Sequence, residues 1–215
     1  MPEFLPPWPL LGAFVLASLA LAVTPGPAVV YIVTRTLAQG RRAGLASVGA
    51  VALGNLGNAA GAALGLAVLF SISAVAFTVV KYAGAAYLIW LGIRTLRTAP
   101  AVDADTPPPA RPLRQVLRDG FVVALLNPKT AIFFAAFLPQ FMNPAASALT
   151  QSLALGVGFV LIAATTDVCY VTAAAAVMPA LSRAGRARAA GRYLTAAAFI
   201  GLGVFTAASG SRAGK

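Results

Sequence analysis

No charged residue separates Glu3 from Arg35, and uncharged stretches of about 20 residues or more recur along the rest of the chain. Each is long enough to cross a hydrocarbon core roughly 30 Å thick as a helix. With 60% of its 215 residues hydrophobic and only 10% charged, and a mean hydropathy of +0.85, a water-soluble domain could not hide this surface. The bilayer is the expected solvent. Inside it every backbone N–H and C=O needs an internal partner, which leaves helices or a closed barrel. Barrel strands alternate apolar and polar residues over about ten positions, whereas these runs are unbroken and rich in Ala, Leu and Val. The expectation is an all-α integral membrane protein.

Apolar runs bounded by charge or turn residues lie at Pro9 to Leu37, Gly44 to Phe70, Ser73 to Ile93, Phe121 to Phe141, Ser152 to Met178 and Tyr193 to Ala208. They predict six crossings. Nothing basic precedes the first run, so it reads as a retained helix and not as a signal peptide. Arg35, Arg41 and Arg42 follow the first run. Arg94, Arg97, Arg111, Arg114 and Arg118 follow the third, and Arg183, Arg186, Arg188 and Arg192 the fifth. Lys and Arg mark the cytoplasmic side, so both termini are expected outside, with Arg212 and Lys215 running against that trend. The net charge of +11 thus has a topological origin and carries no indication of nucleic acid. Between Arg94 and Asp119, Pro100 and the run Pro107 to Pro109 suit an extended linker. The domain reading is a first three-helix half at 1–98, a cytoplasmic linker at 99–118 and a second three-helix half at 119–215. Three crossings per half place the halves in opposite orientations, the topology of a 3+3 inverted repeat.

Proline and glycine breaks inside spanning helices free backbone groups that can line a polar cavity. The first run contains Thr24-Pro25-Gly26-Pro27 and the fourth Asn127-Pro128-Lys129. At about 1.5 Å per residue, both breaks fall in the cytoplasmic half of their runs, where strict inversion would mirror them. Asp167, well inside the fifth run, costs about 2.5–3.5 kcal/mol to insert. Its depth matches that of Lys129, so it is read either as a structural ion pair with Lys129 or as a site for a proton or a substrate ammonium. Lys81 is expected to snorkel to the interface or to serve inside the bundle. Asn55 and Asn58 share a helical face and either bond a neighbouring helix or contact substrate. Gly57, Gly61 and Gly65 recur at a close-packing spacing, and Trp8, Tyr87, Trp90 and Tyr193 are expected as interfacial anchors. Cys169 is expected to be buried. The absence of histidine removes the commonest general base and zinc ligand, so neither an enzyme nor a bound cofactor is expected.

Four landmarks together resemble the lysine exporter (LysE/RhtB) family of bacterial amino-acid efflux transporters: Thr24-Pro25-Gly26-Pro27, Gly84-Ala85-Ala86-Tyr87-Leu88 leading to Leu91-Gly92-Ile93-Arg94, Asn127-Pro128-Lys129, and Phe137-Leu138-Pro139-Gln140-Phe141. The resemblance spans nearly the whole chain. It implies a carrier of the bacterial cytoplasmic membrane that exports amino acids or close derivatives by proton antiport. It also points to the two broken helices as the site region. Some relatives carry an acidic or histidine residue in the second helix, where this chain has Asn55 and Asn58. The expected partners are an amino acid, the coupling proton, membrane lipid and a second copy in a homodimer. The rival reading is a non-transporting scaffold that uses the glycine face of the second helix.

Overall fold

A computed structural model describes residues 5–64, 74–97, 112–143, 146–183 and 185–208, and every described element is helical. The order is α1 (Trp8–Val23), α2 (Pro27–Gln39), α3 (Arg41–Ala63), α4 (Ala74–Arg97), α5 (Leu113–Leu125), α6 (Pro128–Ile132), a π turn (Phe133–Phe137), a 3-10 turn (Leu138–Phe141), α7 (Ala148–Arg183) and α8 (Gly185–Ala208). Where they are described, the six apolar runs are helical except at residues 24–26, 64 and 126–127. By length and composition, Ala148–Met178 can cross a membrane alone, and α1 with α2 can do so as one bent span. Most of the linker and Gly65 lie outside the described residues.

Proline dictates the bend. Pro25 has no N–H to offer the carbonyl of Leu21 and holds Thr24 extended at φ −72°, ψ 119°. Pro27 then opens α2, where a missing N–H costs nothing. The two helices meet at 49°. Gly40, with φ +83°, ends α2 in the left-handed region that suits a helix C-terminus, and α3 starts at the next residue. In the fourth run, Pro128 interrupts the helix in the same way after Leu125.

Two boundaries differ from the sequence reading. Residues 113–118, expected in the linker, form the first turns of α5, because Val116, Asp119, Gly120, Val123 and Ala124 make one buried helical face. Residues 185–192, expected as a loop, belong to α8. The longer α5 also moves the second break farther from its Arg-bearing end. The 13 residues of α2 and the 13 of α5 both separate a break from the Arg-bearing end, about 20 Å in each case. On the other side of the first break stand the 16 residues of α1, about 24 Å. The two breaks therefore stand at matching distances from their Arg-bearing ends.

Small residues set the helix contacts. A Cβ on Gly54 would stand 2.6 Å from both the Ala124 Cβ and the Phe121 carbonyl of α5, and one on Gly57 3.0 Å from Leu125 Cδ1. Gly156 of α7 lies against Ala59 of α3, while Gly92 of α4 meets Ala196 and Ile200 of α8 and Gly203 of α8 meets Ala85 and Ile89 of α4. Such contacts let backbones approach where no hydrophobic drive exists between helices. An aromatic cluster of Phe14, Phe133, Phe134 and Phe159 fills one end of the core, and Tyr31, Leu88, Leu91, Val123 and Phe199 fill the other. Trp8, Trp90 and Tyr193 are exposed on the outer surface. So is Cys169, which corrects its expected burial. Gly54→Ala is expected to cost about 1–3 kcal/mol through overpacking, read as a lower Tm in detergent. Gly49→Ala, beside which a Cβ meets nothing within 4 Å, should change stability by less than about 0.5 kcal/mol.

Candidate functional site

Three prolines leave three carbonyls without their helical partners, and each carbonyl receives a side chain instead. Leu21 O, orphaned by Pro25, accepts from Lys129 Nζ at 2.5 Å. Val23 O, orphaned by Pro27, accepts from the Tyr170 hydroxyl at 2.6 Å. Ala124 O, denied its usual donor by Pro128, accepts from Asn58 Nδ2 at 3.0 Å beside the Asn127 backbone N–H at 3.2 Å. Lys129 Nζ also donates to Thr24 O. The ammonium thus caps the C-terminal end of α1, where the helix dipole favours a cation. Asn127 caps α6, its Oδ1 accepting the Lys129 backbone N–H at 3.1 Å.

Between the two breaks lies a small, partly open cavity of about 30 Å³, room for a water molecule or two. Gly26, Ala28 and Val29 line it from the start of α2, Asn127, Lys129 and Thr130 from the second break, Val51 and Asn55 from α3, and Phe159, Ala163 and Asp167 from α7. The N–H groups of Ala28 and Val29 belong to the first turn of α2, which an α-helix leaves without internal acceptors. Of the residues singled out in the sequence, Gly26, Asn55, Asn127, Lys129 and Asp167 are brought together here. Thr24 contributes its carbonyl to Lys129, Pro25, Pro27 and Pro128 shape the breaks, and Asn58 holds Ala124. The direct Asp167 to Lys129 ion pair does not form: among the described residues every salt bridge ends on Asp119, and Lys129 is turned toward α1. Asp167 is buried but faces the cavity.

The sequence reading missed Thr130, Phe159 and Ala163. The last two stand eight and four residues before Asp167 on one helical face, a spacing that could have revealed them. It also missed a second charged cluster. Asp119 is 0% exposed. Its Oδ2 lies 3.9 Å from Arg35 Nη2 and 3.7 Å from Arg94 Nη1, and its Oδ1 accepts from Arg118 at 3.2 Å and from the Tyr87 hydroxyl at 3.1 Å. Arg35 lies over the Tyr31 ring and Arg94 over the Trp90 ring. The cluster ties α2, α4 and α5 together at the Arg-bearing end. Tyr87, expected as an interfacial anchor, is turned inward to it, where its hydroxyl satisfies one oxygen of a carboxylate that burial would otherwise leave costly. Lys81 is buried, its ammonium 5.1 Å from the centre of the Tyr82 ring.

Residues 19–210 match the family model described as LysE type translocator. The chain belongs to that family. It is similar to the homoserine/homoserine lactone efflux protein of Salmonella typhimurium, with 36% identity over 162 residues, 75% of this chain and 79% of the relative. An uncharacterized membrane protein of Vibrio cholerae is 32% identical over 163 residues, 76% of this chain and 80% of its own. The leucine efflux protein of Klebsiella pneumoniae is 28% identical over 163 residues, covering 74% of each chain. No solved structure matches. The chain is a membrane translocator by family, and both breaks, at 24–27 and 126–128, fall within the matched residues.

Removing Asp119 strands buried Arg35. Asp119→Ala is therefore expected to cost about 3–5 kcal/mol, seen as loss of folded protein or a sharp fall in Tm after extraction. Arg118, whose side chain is 61% exposed, should tolerate alanine at a cost under about 1 kcal/mol.

Proposed function

We propose that this chain is a secondary transporter that exports an amino acid or a close derivative across the bacterial cytoplasmic membrane by proton antiport. One observation carries the reading: two proline-broken helices converge on a single cavity that holds a cation and an anion on opposing elements, Lys129 at the breaks and Asp167 on α7. That arrangement is complementary to a zwitterion. The substrate carboxylate meets the first-turn N–H groups of Ala28 and Val29 together with the Lys129 ammonium, where the dipole of α2 favours negative charge. The C-terminal end of α1 is already occupied by Lys129, so the substrate ammonium goes to Asp167. Asp167 then binds a proton and the ammonium in alternation, coupling inward proton flow to outward substrate movement. The two relatives named for homoserine and for leucine have in common an amino-acid cargo, which fits a site built around the head group.

In this reading the chain crosses the membrane six times as a 3+3 inverted repeat with both termini outside, α1–α2 and α5–α6 being the first spans of the two halves. The packing supports it. The second span of each half, α3 or α7, packs on the broken first span of the other half, the two second spans pack on each other, and α4 packs on α8. Exchanging the halves leaves those contacts unchanged, while the packing of α2 on α3 has no equal between α5–α6 and α7 among the described residues. A homodimer would use outward small residues such as Gly12, Gly49 and Gly201, whose added Cβ atoms would meet nothing within 4 Å. Of the glycine face on which a scaffold reading depends, Gly57 is engaged inside the chain, against Leu125 of α5.

Proteoliposomes preloaded with labelled amino acids are expected to lose one or a few of them when a pH gradient is imposed. Asp167→Asn, reconstituted to the same level, should lose gradient-driven export by at least about 100-fold, on the order of 3 kcal/mol in the coupled step. Full export by that variant overturns the coupling role, and retention of every amino acid by the native chain overturns the transport reading. Lys129→Met, which removes the cap of α1 as well as the cation, should lower both export and Tm.

A further inference from the structure

Toward their Arg-bearing ends α4 and α5 diverge, and long side chains bridge the gap. At the other end the two helices touch, since a Cβ on Gly84 would collide with the Leu126 carbonyl. Ten residues farther along α4, about 15 Å, the link is the reach of the Arg94 guanidinium to Asp119 Oδ2 at 3.7 Å. The wedge so formed has an aromatic wall. Tyr87, Trp90, Arg94 and Arg97 share one face of α4. The Tyr87 and Trp90 rings stand 5.4 Å apart, and Arg94 lies 4.9 Å above the Trp90 ring. From α5, Arg118 donates to the same Asp119 oxygen as the Tyr87 hydroxyl, with Val122 half-buried one turn farther in. The wedge is open to its surroundings: Trp90 is 43% exposed, and the Arg94 and Arg118 side chains are 33% and 61% exposed.

The charge does not balance. Three guanidinium groups, those of Arg35, Arg94 and Arg118, meet the single Asp119 carboxylate, and exposed Arg97 and Arg114 stand at the same helix ends. Guanidinium groups bind phosphate through paired N–H donors, and Trp favours the boundary between headgroups and acyl chains. A free anion would leave the ring face unused, and an apolar molecule would leave the cations unused. An amphiphile uses both. A headgroup with its own ammonium would return positive charge to a site already in excess, so the fit is to a lipid without one.

We propose that the wedge between α4 and α5 binds an anionic phospholipid, with its phosphodiester on Arg94 and Arg118 and an acyl chain along Trp90 and Val122. This site is separate from the cavity between the breaks and does not depend on the transport reading.

The test exploits the chain's two tryptophans. In Trp8→Phe, Trp90 is the sole tryptophan, and a brominated acyl chain lying against it quenches its fluorescence. The full chain is reconstituted into phosphatidylcholine vesicles that contain dibrominated phosphatidylglycerol or, in the parallel series, dibrominated phosphatidylcholine. Trp90 is expected to select phosphatidylglycerol by at least about tenfold in relative binding constant. Adding Arg118→Ala, a mostly exposed position that should leave the fold intact, should lower that selectivity about fivefold. Arg41→Ala, which removes the same charge from the exposed start of α3, should leave it within about twofold. Equal quenching by the two lipids overturns the proposal, as does a selectivity that survives Arg118→Ala. A loss in Arg41→Ala as large as in Arg118→Ala also overturns it, because the attraction is then general surface charge. So does release of the brominated phosphatidylglycerol by inorganic phosphate beyond that by sodium chloride at equal ionic strength, which marks a free-anion site.

Discussion

A proline inside a membrane-spanning helix leaves a carbonyl that water cannot reach, and the rest of this structure is arranged around that fact. In lipid such a carbonyl must find a donor within the protein. Leu21, Val23 and Ala124 each lose a helical partner to proline, and each is answered from a distant part of the chain by Lys129, Tyr170 or Asn58. These three bonds tie α1 to the second break and to α7, and α3 to α5. The helices are thereby held in the register that creates the cavity. Lys129 belongs to both structures, because the ammonium that completes the end of α1 also stands in the wall of the cavity.

The charged groups divide into two populations at different depths. At the Arg-bearing end, Asp119 accepts hydrogen bonds from Arg118 and Tyr87 and stands at ion-pair distance from Arg35 and Arg94, joining three helices. Between the two breaks, Lys129 and Asp167 line the same space without forming a salt bridge. A carboxylate surrounded by guanidinium groups is committed to holding helices together, whereas one that opens onto a cavity is free to exchange partners. The second condition is the one a carrier needs at its site, and the first is what keeps the helices around that site in place.

How much of this was legible beforehand can be argued residue by residue. The breaks at Pro25 to Pro27 and at Pro128 were legible because the missing N–H and the steric clash are properties of proline itself. Asp167 was legible because an acid in a long apolar run is costly wherever it points. Asp119 was not, because seven residues ahead of it a proline-rich, charged stretch resembles solvated linker. The buried stripe through Val116, Asp119 and Val123 becomes meaningful only once α5 is seen to start at Leu113. Asn55 and Asn58 were indistinguishable for a related reason: their spacing places them on one helical face but says nothing of which neighbour each meets.

By itself the sequence determined that the chain is helical and belongs in lipid, that two of its helices are broken, and which polar residues lie inside apolar runs. These are local properties, set by hydrophobicity, backbone chemistry and the helical repeat. Only the tertiary structure decided what those residues do: Lys129 turns to the carbonyls of α1 and not to Asp167, Asn58 closes a backbone gap while Asn55 faces the cavity, and Tyr87 leaves the interface for Asp119. Those choices depend on the rotation and separation of helices far apart in the chain. Small-residue contacts such as Gly54 on α5 and Gly92 on α8 set these distances, and no local pattern encodes them.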